Sequence, residues 1–108
     1  IPVEIANFTS AEAECDGGEV EASLLTSVTG EGVVQVLHSN YVTSSCISFE
    51  ATGGLNEDSN TVTVGYTEVG EPCDCESAYT LGYELRGLTS GEYSLAIPGG
   101  LSDTFMIP

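Results

Sequence analysis

The sequence predicts an all-β protein, an antiparallel immunoglobulin-like or fibronectin-like β-sandwich of seven to eight strands, in one domain spanning residues 1–108. Three observations predict it. Apolar and polar side chains alternate over most of the chain, the period-two signature of half-buried strands, and helical periodicity is nearly absent. β-branched and aromatic residues fill these runs, and breaks rich in Gly, Asn and Ser part them about every ten residues. A length of 108 residues suits a single domain with a modest core.

The predicted strands are Val3–Phe8, Glu19–Val28, Val33–His38, Cys46–Ala51, Thr61–Thr67, Tyr79–Arg86, Glu92–Ile97 and Asp103–Ile107. Thr29-Gly30-Glu31-Gly32 separates the second from the third, and the polar run Gly53 to Asn60 is read as a hairpin connection. Gly70-Glu71-Pro72, Gly87 to Gly91 and Pro98-Gly99-Gly100 end three more. The Gly-Gly pairs at 17–18, 53–54 and 99–100 are expected to be turns. Alternation puts Val62, Val64 and Tyr66 on one side, then Tyr79, Leu81, Tyr83 and Leu85, then Tyr93, Leu95 and Ile97. With Val34, Val36, Ile47 and Phe49 these form the expected core, while Glu50, Glu84 and Glu92 face solvent.

Charge is the anomaly. Seventeen acids face one base, Arg86, for a formal charge of −16. Nucleic acid and anionic membrane surfaces need clustered Lys and Arg, so neither is an expected partner; cations and basic surfaces are. Self-repulsion opposes compaction and weakens as salt screens it over roughly 8–10 Å. No apolar run approaches the roughly 20 residues of a membrane-spanning helix. The chain opens at Ile1, and a processed mature chain or an excised domain is expected. Asn7-Phe8-Thr9 is a formal glycosylation acceptor, a triplet that also arises by chance.

The cysteines Cys15, Cys46, Cys73 and Cys75, in a chain without Lys, point to disulfides and an extracellular or cell-surface location. A Cys73–Cys75 bond would close a very small ring, so each of the two remaining pairings ties the Cys73-Asp74-Cys75 corner to Cys15 and Cys46. Zinc is disfavoured by the spacing, and thiol redox catalysis by the lack of a neighbouring base.

Two stretches resemble known proteins. Leu37-His38-Ser39-Asn40-Tyr41 through Cys46, Asn60 to Val64, Cys73-Asp74-Cys75, Tyr79 to Leu85 and Gly91-Glu92-Tyr93-Ser94-Leu95 resemble small secreted proteins and lipoproteins of bacteria, notably of the Bacteroidetes group. These carry a Cys-Asp-Cys element before a strand and a Gly-x-Tyr strand near the end. The resemblance implies a β-sandwich and no known activity. This chain lacks a paired Cys after Asn40 and a third beyond Cys75, so no disulfide map carries over. Ile1 to Thr9 is similar to the start of extracellular fibronectin-like modules of the same group.

Candidate chemistry is sparse. Asn56, Glu57, Asp58 and Asn60 share one expected loop, and Asn56, Asp58 and Asn60 are the candidate calcium ligands; no other cofactor is expected. His38, the sole imidazole, is expected to be a strand-end residue bonded to backbone, without the Ser and Asp partners of a triad. Arg86 is expected to satisfy neighbouring carboxylates. Tyr41 and Tyr66 are the aromatics available for stacking on a sugar. The expected role is therefore non-enzymatic: an extracellular structural protein, a subunit of a surface filament or assembly. Its apolar terminal strands, at Ile1 to Ile5 and Thr104 to Pro108, would join copies by strand addition. The alternative is a secreted binding module for a glycan, calcium or a basic protein.

Overall fold

The computed structural model describes residues 1–13, 21–30 and 32–108. They form eight strands: β1 (Pro2–Glu12), β2 (Ser23–Gly30), β3 (Val33–Ser44), β4 (Ser48–Asn56), β5 (Thr61–Val69), β6 (Glu76–Arg86), β7 (Gly91–Ala96) and β8 (Ser102–Ile107). There is no helix among the described residues. Each expected strand has its counterpart. The residues expected to open the second, Glu19 and Val20, lie outside the described residues, as do Gly17 and Gly18.

The strands join in one sheet of order β2-β3-β6-β1-β4-β5-β7-β8. β1 sits at its centre because it changes partner along its length. Pro2 and Val3 pair with Gly54 and Gly53 of β4, whereas Glu4 to Glu12 pair with Arg86 to Tyr79 of β6. Antiparallel pairing throughout was expected, but β5 and β7 pair in parallel. The cause is topological. β6 leaves β5 to lie between β3 and β1, so β7 returns beside β5 running the same way. The two ends of the sheet curl together, and Thr26 Oγ1 of β2 donates to Asp103 Oδ2 of β8 at 2.8 Å. The result is nearly barrel-like.

Alternation decides what lies inside. In β6, Ser77, Tyr79, Leu81, Tyr83 and Leu85 are buried, and the residues between them face outward. All the expected core residues are buried except Tyr66, which is half-buried. Val3, Leu88, Phe105 and Ile107 join them. Each such aliphatic or aromatic side chain stabilises the fold by roughly 1.5–3 kcal/mol on burial.

Two local expectations fail for steric reasons. Gly53 and Gly54 belong to β4, and the turn narrows to Glu57–Asn60. A Cβ on Gly53 would lie 3.4 Å from Ile5 Cδ1 and 3.5 Å from Val3, so glycine lets β1 cross β4 closely. Cys46 is a turn residue at φ 69, not the start of a strand. Gly99 and Gly100 do form a turn, both at positive φ.

Candidate functional site

Two asparagines inside strands shape the interior. Asn7 (φ 53) and Asn40 (φ 60) sit in β-bulges that break the register of β1 against β6 and of β3 against β6. Asn tolerates the left-handed conformation, and each bulge turns the aromatic that follows, Phe8 or Tyr41, toward the core. β3 therefore runs on past His38 to Ser44.

His38 is not a strand-end residue bonded to backbone: it is 1% exposed, on the inner face between β2 and β6. Its Nδ1 lies 3.0 Å from Tyr66 Oη, which lies 2.9 Å from Tyr83 Oη. The rings of Tyr41 and Tyr66 pack on the imidazole at centroid distances of 5.2 and 5.7 Å, and Phe8 stacks on Tyr83. Nε2 has no hydrogen-bond partner among the described residues. A second proton would bury a charge and an unmet donor together, so burial pushes the His38 pKa down. Burial also raises Tyr66, with its neighbours Tyr83 and Tyr41 adding to the effect, and raises Tyr83 to about 12. Both phenols stay neutral and bridge His38 to the core. Tyr41 and Tyr66 thus face inward rather than offering a surface to a sugar; burial, then Glu68, raises the Tyr41 pKa.

At one end of the sheet the β3–β4 turn is fastened to the β5–β6 connection. Cys46 and Cys73 form a disulfide, which fits the expected tie to the Cys73-Asp74-Cys75 corner. Cys75 is disulfide-bonded as well; Cys15 lies outside the described residues. Ser45 N donates to Cys75 O and Cys73 N to Ser45 O. Glu12 accepts from Ser77 Oγ at 2.8 Å and from the Cys46 amide at 3.3 Å. The carboxylate is therefore part of the fastening.

The calcium candidates Asn56, Asp58 and Asn60 lie at the end of β4 and in the turn that follows it. Asn56 Oδ1 accepts from the Asp58 amide at 3.0 Å, and Asn60 Nδ2 donates to Glu92 O at 3.1 Å. Two of the three side chains thus hold the turn and its neighbour in place. No group of three or more His, Cys, Asp or Glu side chains is placed to hold a metal ion among the described residues.

The outer face of β1, β6, β3 and β2 carries a feature not read from the sequence. A groove of about 550 Å³ is lined by Leu25, Leu37, Thr9, Gln35, Glu84 and Gly82 among others. Gly82 lies at its floor with Thr9 leaning over it: an added Cβ would stand 3.0 Å from Thr9 Oγ1, which donates to the Gly82 carbonyl at 3.3 Å. The only signal was a glycine within an otherwise regular strand. At the groove's lower rim Arg86 Nη2 donates to Glu84 Oε1 at 2.9 Å, and Asn7 Nδ2 donates to the same oxygen. These bonds, Arg86 first, hold the Glu84 carboxyl below its ordinary range. Arg86 thus serves carboxylates as expected.

No family model, curated protein or solved structure matches the chain. The geometry must carry the reading. It offers a closed interior whose imidazole is shut away from solvent, and a wall of outward strands whose chemistry is mild.

Proposed function

We propose that this chain is a non-enzymatic extracellular structural protein, a subunit of a surface assembly whose copies join by strand addition. In this reading the sheet is an immunoglobulin-like sandwich whose layers share β1, of the kind found in small secreted Bacteroidetes proteins. The observation that carries the reading is the state of the sheet's edges. β2 and β8 end the sheet, and no backbone ladder joins them among the described residues. The two strands lie close to each other across the seam, and strand addition would insert a neighbour's strand between these unladdered edges. β1 is committed to the centre of its own sheet, so β8 is the terminal strand available for this role. The Cys46–Cys73 disulfide and the absence of a membrane-spanning helix among the described residues are compatible with an extracellular setting.

Electron microscopy in high salt and in calcium, beside size-exclusion chromatography in low salt, tests the reading. Ordered polymers or oligomers that grow as charge is screened are expected. A monomer under every condition overturns it.

A further inference from the structure

We infer that the outer face of β1, β6, β3 and β2 is where two copies of this chain meet, Leu25 of each copy seated in the groove that crosses Gly82 of the other. The inference rests on the self-association proposed above and names its surface.

The first argument is shape. Thr9, Gly82, Leu37 and Leu25 lie in one row across the four strands, Thr9 opposite Gly82, Gly82 opposite Leu37 and Leu37 opposite Leu25. Leu25 is 62% exposed and Leu37 41%, each within a strand between neighbours that turn inward. Neighbouring strands lie about 4.8 Å apart, so the projecting Leu25 and the groove over Gly82 are roughly 10 Å apart with Leu37 midway. A two-fold axis along β3 through Leu37 carries each Leu25 over the other copy's Gly82 and sets Leu37 against Leu37. Knob and hole on one face are self-complementary, the requirement for a closed dimer. Strands of the two sheets then run the same way, as in aligned sheet packing at a separation of about 10 Å.

The second argument is charge. On a chain of −16 a second copy is repelled nearly everywhere. The strand walls between the acid-rich ends are the exception, and this one carries the groove with its exposed leucines. Its next rows toward the disulfide end hold Ala11 opposite Thr80, then Ala78 opposite Val42, which is 47% exposed. None of these residues is charged. Toward the other end the first acid met is Glu84, and the chain's single Arg86 is bonded to it. A second copy therefore meets little like charge here, Glu84 and Glu4 sharing Arg86 between them. Four strands by three rows cover on the order of 300 Å² per copy, which is below the standard size and makes the dimer weak and reversible. Screening the remaining charge should tighten it.

Sedimentation velocity across a concentration series in low and in high sodium chloride tests this, with Leu25→Asp, Leu37→Asp and the opposite-wall control Thr63→Asp. All three positions are exposed, and thermal melts read out whether each variant is folded. The wild-type chain is expected to dimerise in high salt, and either leucine variant to raise the dissociation constant roughly 100-fold or more, because the Leu37→Asp carboxylate would face its own copy and the Leu25→Asp carboxylate would be desolvated in the groove over Gly82. Thr63→Asp should leave the dimer unchanged. A wild-type monomer at all salt concentrations overturns both this inference and the assembly reading. Association that survives Leu25→Asp and Leu37→Asp, or falls equally with Thr63→Asp, overturns this surface alone.

Discussion

The buried imidazole makes a pH prediction whose size follows from its surroundings. His38 is 1% exposed, its Nδ1 is bonded to Tyr66, and Nε2 has no partner among the described residues. Burial holds its folded-state pKa below the unfolded value of 6.5. The stabilising contribution is therefore complete above that value and is lost as pH falls through it, because the unfolded chain takes up a proton that the folded chain refuses. Between pH 7.5 and 5.5 an unfolded imidazole goes from about one-tenth to about nine-tenths protonated, so the loss across this range has an upper limit of about 1.4 kcal/mol. For a domain of this size that limit is a melting-temperature loss of roughly 5–10 °C. Carboxylates also titrate near the lower limit, so the informative quantity is the difference between wild type and His38→Gln, which carries no titrating group there. Urea denaturation of both proteins across this range measures it. Wild type should weaken relative to His38→Gln by up to about 1.4 kcal/mol as pH falls. A flat difference would refute the reasoning, since it would mean that the imidazole protonates as easily inside the protein as outside.

Removing the Cys46–Cys73 bridge as the double variant Cys46→Ala/Cys73→Ala should cost about 3.5 kcal/mol by the chain-entropy relation for its separation of 27 residues, checked by urea denaturation under oxidising conditions. Gly32→Ala should be among the most damaging small changes. Gly32 has φ 66, and an added Cβ would stand 2.5 Å from the Leu88 carbonyl oxygen, so a loss of about 2–4 kcal/mol is expected in the same assay. Tyr83→Phe removes one hydroxyl from the His38–Tyr66–Tyr83 chain and should cost about 1 kcal/mol, whereas Leu81→Ala should cost about 2–5 kcal/mol through the cavity it opens.

Much of this architecture was legible because period two is a local signal. The runs around Val62-Thr63-Val64 and Tyr79 to Leu85 state their inner and outer faces without reference to any other strand, and the structure buries the residues so assigned. What could not be read depends on partners distant in sequence. That β1 changes partner after Val3, and that β6 lies between β3 and β1, are facts about pairing rather than about any one strand. Gly53 looked like a turn residue because glycine serves turns and close crossings alike. The Asn7 and Asn40 bulges reset the alternation by one residue, which is why His38 looked like the end of a strand that runs on to Ser44. The candidate site suffered most. Residue type alone offers Tyr41 and Tyr66 to a sugar, but the bulge at Asn40 and the hydroxyl chain turn them inward. The Gly82 groove needs four strands in register before it exists at all.

The distribution of acids explains how so unbalanced a chain folds and what it can join. The molecule measures 44 × 24 × 23 Å, with the strands running between two acid-rich ends. Glu12, Glu21, Glu68, Glu71, Asp74 and Glu76 gather at the end fastened by the disulfide, and Glu4, Glu57, Asp58 and Glu92 at the other. At physiological salt, charges so far apart are separated by several screening lengths, so the ends scarcely repel each other. Repulsion within the disulfide-bearing end remains, and there covalent closure does what packing alone would do poorly. The walls between the ends carry mostly Thr, Ser, Gly, Ala and a few leucines and valines. Copies approaching end to end meet acid against acid, whereas copies approaching side by side meet almost none. Any assembly of this chain should therefore grow laterally, through the β2 and β8 edges or the Leu25–Gly82 face. Contact between the acidic ends should require a divalent cation or a pH low enough to protonate carboxylates.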